Sequence, residues 1–362
     1  MRTRVFWHVL WLMVMVSCSD EQLPENSHRS PIRLSVMSAG DVSSRAHLYE
    51  GTASVVAEQE FALDAFLIDG SDSPYLENRW VFYNAKTWRF RDETYTGKLL
   101  DYYWPNRYPV NFVAYMPYQL SKSFVKREDV RFSNNGGLAF DCTLPGTDGG
   151  GYRTINDTDD GQRAAENGIH EFVYALRKDC QKGITDKDPV KLCFVHPFAA
   201  IKFNLSQSHR DLTIHSITLN GVYNVATYAN ANDTYDTYLN DQSSLTYETW
   251  SGTNTSILTV NYEKTVPGQI NYYSLIGGPY LVIPQSLEGV TLSVNYTWDE
   301  NTDYKTTPVS LKTTDITAWQ PGMIYTYTLD LGDNKEEILF KATVEPWTKG
   351  EDDGYENEYE VI

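Results

Sequence analysis

Thr291-Leu292-Ser293-Val294-Asn295-Tyr296-Thr297-Trp298 is the stretch that decides how the chain folds. Leu292, Val294, Tyr296 and Trp298 alternate with Thr291, Ser293, Asn295 and Thr297. That two-residue period belongs to a strand with one face in a core and the other in water, and its β-branched and aromatic residues suit a pleated surface. Working outward, short runs of the same kind occupy residues 212–219, 257–262, 281–283, 325–331 and 338–344, with Pro284 ending one of them. Upstream, Val190, Leu192 and Phe194 alternate with Lys191, Cys193 and Val195 until His196-Pro197, and residues 201–205 resume the pattern. Residues 110–115 read as a strand closed by Pro117, and Phe61, Leu63, Ala65 and Leu67 alternate with Ala62, Asp64, Phe66 and Ile68. The first such run is at the start of the fold, where Ile32, Leu34 and Val36 alternate with Arg33, Ser35 and Met37. Many short strands punctuated by turns define an all-β chain built of sandwiches.

Length favours two cores. The polar stretch 183–189 is the expected boundary, which divides the fold into residues 31–186 and 187–350. Residues 133–168, rich in Gly, Asn and Asp, read as a long loop region, and residues 169–178 as either a short helix or a last strand. The loop region has the oxygens for a calcium site, but taking Gly161 as the turn glycine puts Thr158 and Asn167 where an EF-hand needs carboxylates. A solvated surface loop is the simpler reading. No repeat of fixed period links the two halves.

The formal net charge is −18, from 30 basic and 48 acidic residues. Such a surface repels nucleic acid, so no nucleic-acid partner is expected. The chain carries no HExxH, no GxSxG, no phosphate-binding glycine loop and no CxxC pair, and its histidines are scattered. It reads as a non-enzyme without cofactor or metal site. With 26 Tyr, 14 Phe and 9 Trp, its loops also suit stacking on sugars, so a glycan-binding surface protein is the alternative function.

The N-terminus gives an address. Arg2 and Arg4 precede a twelve-residue apolar run from Val5 to Val16, too short to span a bilayer, and Ser17-Cys18 follows. This resembles the bacterial lipoprotein pattern, with residues 1–17 as signal peptide and the Cys18 thiol as the acylated, palmitate-bearing site. Ser19-Asp20-Glu21 resembles a surface-export signal, and residues 18–30 form a tether. Removal of Arg2 and Arg4 with the signal takes the net charge to −20. With Cys18 acylated, Cys142, Cys180 and Cys193 remain, so at most one disulfide is available and the cores must supply stability. The last residues, 351–362, contain six acids and read as a solvated tail, although Tyr355, Tyr359 and Val361 lie on one side of an extended chain.

Five short motifs now add a family likeness. They are Tyr103-Trp104-Pro105 with Val110-Asn111-Phe112-Val113-Ala114-Tyr115-Met116-Pro117, Phe194-Val195-His196-Pro197-Phe198-Ala199-Ala200-Ile201-Lys202-Phe203, Leu281-Val282-Ile283-Pro284-Gln285, Trp319-Gln320-Pro321-Gly322-Met323-Ile324-Tyr325 and Val344-Glu345-Pro346-Trp347. In this order behind a lipoprotein signal, they resemble the fimbrillins, the type V pilus subunits of Bacteroidota. The resemblance implies two tandem transthyretin-like β-sandwich domains. It also implies a subunit role in the stalk, tip, accessory or anchor position, and partners in other pilus subunits joined by strand exchange. The outer membrane is the partner before processing, and a host or bacterial surface protein or glycan is the adhesive target. In that scheme Ile32, Leu34 and Val36 belong to a first strand that is displaced after a protease cuts behind it, with Arg45 as the cleavage site and Arg29 as competitor. The acidic tail departs from an apolar donor strand.

Overall fold

A computed structural model describes residues 30–38 and 60–346, apart from 71–72, 85–86, 93–97, 121–124, 134, 145–151, 157–171, 183–187, 208–210, 236–244, 253–254, 269–272, 275–279, 299–301 and 332–337. Cys18, Arg45 and the tail 351–362 lie outside the described residues. In chain order the first strands are β1 (Leu34–Ser38), β2 (Glu60–Leu67), β3 (Pro74–Asn84), β4 (Thr87–Arg91), β5 (Leu99–Leu100), β6 (Val110–Met116), β7 (Val130–Phe132), β8 (Leu138–Thr143) and β9 (Tyr152–Asn156). Then come β10 (Val173–Cys180), β11 (Val190–Phe194), β12 (Ala199–Gln207), β13 (Leu212–Tyr223), β14 (Val225–Asn230), β15 (Trp250–Gly252), β16 (Thr255–Val266), β17 (Tyr273–Ser274) and β18 (Tyr280–Val282). The last are β19 (Gln285–Ser286), β20 (Thr291–Trp298), β21 (Thr302–Lys305), β22 (Val309–Ser310), β23 (Ala318–Trp319), β24 (Met323–Asp330) and β25 (Leu339–Pro346).

These strands build four main sheets. One orders β10-β6-β2-β3-β4-β5, a second β15-β14-β8-β7, a third β17-β12-β24-β25 with β18 also on β12, and a fourth β21-β20-β13-β16-β9 with β22 on β20. The third and fourth sheets enclose one core, where Phe203, Tyr325, Tyr327 and Leu329 face Ile214, Ile217, Leu292, Val294 and Tyr296. Here the alternation of β20 reports the packing directly: Leu292, Val294, Tyr296 and Trp298 are buried. Gly221, in the left-handed region at φ 79°, makes the bend in β13, where a Cβ would stand 2.9 Å from the Gly289 carbonyl oxygen.

The first sheet is covered on both faces, so β6 is buried along its whole length. Toward the β8–β14 sheet, Ala62, Val113, Tyr115, Tyr174 and Leu176 pack against Phe140, Cys142, Tyr228 and Trp250. Toward the opposite side, Phe61, Leu63, Val81, Val110, Phe112 and Ala175 pack against Ile32, Leu34, Leu192 and Phe194.

One expectation is corrected, and one left open between helix and strand is resolved. Residues 133–168 are not one loop region, because β8 and β9 lie within them, and residues 173–180 form a strand. Strand pairing also crosses the expected division at 186/187: β11 pairs with β1, β14 with β8, and β16 with β9. Chain halves and packing units therefore differ, since a strand joins whichever exposed edge its connection reaches.

Candidate functional site

The first strand is set into a seam. At one end of the six-stranded sheet, β10 meets β11 through a single antiparallel bridge, Tyr174 to Val195, with Val195 N donating to Tyr174 O at 2.9 Å. At the other end, the segment after β5 turns back toward the start of the fold: Ile32 N donates to Tyr102 O at 2.7 Å and Trp104 N to Ser30 O at 3.0 Å. Between them runs β1, parallel to β11 from Leu34 beside Val190 to Ser38 beside Phe194. Val190 N donates to Arg33 O at 2.8 Å. Residues 30–38 thus link the two ends of the sheet, residues 30–32 through bonds to Tyr102 and Trp104 and residues 33–38 through bonds to β11.

The side chains explain why this strand seals. Ile32 and Leu34, 2% and 7% exposed, enter the core, and Val36 packs partly against it. Around them the Phe61 ring meets Phe194 edge-on at 5.4 Å, Trp104 meets Phe112 at 5.8 Å, and Phe90 meets Tyr102 at 4.8 Å. Tyr75 Oη donates to Tyr103 O at 2.5 Å and holds the turning segment. Burying the Ile32 and Leu34 side chains stabilises the closed seam by about 3–6 kcal/mol. Arg33 faces outward to Asp101 at 3.3 Å, both about half exposed, a pair that contributes little.

Two buried polar side chains stand out, one next to the seam and one on the far face of the six-stranded sheet. Cys193, on the face of β11 opposite Leu192 and Phe194, is a free thiol whose pKa is pushed up to about 12, first by burial and then by Asp233. Asp64 of β2 is buried; its Oδ1 accepts the Asn78 N–H at 2.9 Å and lies 3.7 Å from Arg127, while Oδ2 has no partner. Burial raises the Asp64 carboxyl to about 6, against the opposing Asn78 hydrogen bond and the Arg127 charge.

Of the residues expected from sequence, the structure brings Ile32, Leu34 and Val36 together with motif residues Tyr103, Trp104 and Phe194. Thr234, fully buried beside the seam, had no sequence signal: it lies in a helical turn within a stretch of Asn and Asp. Among the described residues, no group of three or more His, Cys, Asp or Glu is placed to hold a metal, and no helix is long and apolar enough to cross a membrane.

Fold and seam together define an all-β protein whose sheet is closed by its own first strand. The chain belongs to the fimbrillin-like family, whose model matches residues 70–347. A fimbrial protein from Bacteroides vulgatus is similar in fold at TM-score 0.55 and 16% identity, over 88% of this chain and 99% of that one. The tip fimbrial protein Mfa3 from Porphyromonas gingivalis, solved with a C-terminal truncation, aligns over 80% of this chain and 94% of its own, at TM-score 0.39 and 10% identity. No curated protein matches the sequence.

Proposed function

We propose that the protein is a non-enzymatic surface subunit of a type V pilus or a related adhesin, held first by lipid at Cys18 and assembled by exchange of its first strand. The observation that carries this reading is the seam: residues 30–32 are bonded to Tyr102 and Trp104, residues 33–38 are bonded to β11, and Ile32 and Leu34 fill the core between them. A strand at the start of the fold can leave without dragging a second strand with it. Its departure bares apolar surface, the row of backbone groups along β11 and the Tyr102 carbonyl and Trp104 N–H, so an incoming strand of similar pattern is the natural replacement. Cleavage after Arg45 would release lipid, tether and first strand together; without it, Cys18 is a permanent anchor. Family membership supports the pilus setting.

Mass spectrometry of the protein taken from cells tests this. A chain starting at Ala46, lost in Arg45→Ala together with surface polymers, is the expected result. Acylated Cys18 in every molecule, with polymers unchanged in Arg45→Ala, would sink the cleavage assignment.

A further inference from the structure

The β11 strand must remain a template when β1 is absent, yet its hydrogen-bonded ladder is with β1 alone. Its other edge approaches β10, which is itself the end of the six-stranded sheet. Tyr174 and Val195 form the one bridge there. Continuing that antiparallel register would pair Leu176 with Cys193, and at that rung a side chain takes the place of the missing backbone contact. The Thr234 hydroxyl accepts the Leu176 N–H at 3.0 Å and donates to Cys193 O at 2.7 Å, with Leu176 O at 3.1 Å as a second acceptor in reach. Thr234 is fully buried.

The residues on either side fasten the same segment. Asp233 Oδ2 accepts from Arg177 Nη1 at 2.6 Å and from the Lys178 N–H at 2.7 Å, both on β10, while its Oδ1 accepts the Tyr235 N–H at 2.8 Å. The Tyr235 ring lies under the Arg177 guanidinium at 4.7 Å and the Lys191 ammonium of β11 at 5.6 Å, and its hydroxyl accepts from Lys191 Nζ at 3.3 Å. Asp233, Thr234 and Tyr235 follow β14 of the opposite sheet, so none of these bonds involves β1.

We infer that Asp233, Thr234 and Tyr235 form a latch that keeps β11 in register with β10 while the first strand is out, so that the emptied groove retains its shape for an incoming strand. This rests on the strand-exchange reading. Thr234 is a positioning residue in it: it touches neither the leaving nor the arriving strand and acts through β11. Losing its hydroxyl orphans a buried N–H and a buried carbonyl next to the Tyr174–Val195 bridge that joins the end of β11 to the sheet.

The test uses the full chain with a sequence-specific protease site built at residues 43–46, cut after folding, and a fluorescent peptide of residues 30–38 as the probe. Wild type should take up the peptide saturably. Thr234→Val should lower its affinity or uptake rate about tenfold, Thr234→Ser should restore it, and Asp233→Asn should give an intermediate loss. Hydrogen exchange on the uncut protein supplies a second readout. Thr234→Val should expose the amides of Leu176 and Val195, which belong to the latch and the adjoining bridge, while amides in β20 stay protected. Wild-type uptake with no change in Thr234→Val and Asp233→Asn would overturn the latch and leave strand exchange standing. If wild type takes up no peptide, the exchange reading fails instead, and unaltered amide protection in Thr234→Val then overturns the latch as well.

Discussion

Among the described strands that run parallel to a partner far along the chain, β24 and β1 are held in different ways. The β24 strand lies parallel to β12 on one side and antiparallel to β25 on the other, with Tyr325, Tyr327 and Leu329 buried in the C-terminal core. The β1 strand lies parallel to β11 and meets residues 102–104 through an isolated bridge, with two side chains fully inserted. The β24 strand has a ladder on both edges and is tied by chain on both sides to other core strands, whereas β1 has a ladder on β11 alone, is followed by residues 39–59 and is preceded by no described strand. The two strands differ in both pairing and position, and a strand laddered on one edge at the start of the described fold is the one that the proposed exchange would release.

The strongest way to break this contrast is Tyr327→Ala. It removes a buried ring and the acceptor of the Trp319 Nε1–H bond at 2.8 Å. A loss of about 3–5 kcal/mol in a denaturant titration is expected, with the C-terminal sheets failing together. Leu34→Ala comes next, at about 2–3 kcal/mol. Its hydrogen-exchange signature should be confined to β1, β11 and residues 102–104; if β20 is affected equally, the seam is no weaker than the core. Asp64→Asn gives the smallest change and the opposite sign at neutral pH. A carboxyl raised from 3.8 to about 6 by burial binds its proton more tightly in the folded state, so its stabilising contribution is complete below pH 4 and lost as pH rises through 6. Thermal melts at pH 7.5 should show the variant more stable by about 1–3 kcal/mol, with no gain at pH 4. A pH-independent difference would mean that Asp64 does not titrate in this window.

Much of the architecture was legible because a half-buried strand writes its period into the side chains: Leu292 to Trp298 and Ile32 to Val36 read directly as strands. The motif residues Trp104 and Phe194 also mark the seam, as large rings at the ends of the segments that close it. Legibility fails where neither face meets water. Buried along its length, β6 has no alternation to reveal which face meets which sheet, and Asp64 within β2 looked like an outward-facing residue although a second layer covers it. Short strands in glycine- and aspartate-rich surroundings, β8 and β9, were hidden by the turn residues around them. Thr234 was invisible because a threonine in a helical turn has the same letter whether it faces solvent or replaces a rung of a sheet.

By itself, then, the sequence determined that this is an all-β protein and that its first strand is apolar on one side. Only the tertiary structure decided that Leu34 lies beside Val190, that the sheet closes through residues 30–38, and that Thr234 joins β10 to β11. Side-chain period is local and survives in the order of the letters. Which strand edges meet across 150 residues is settled by backbone hydrogen bonds, which every residue type but proline makes alike.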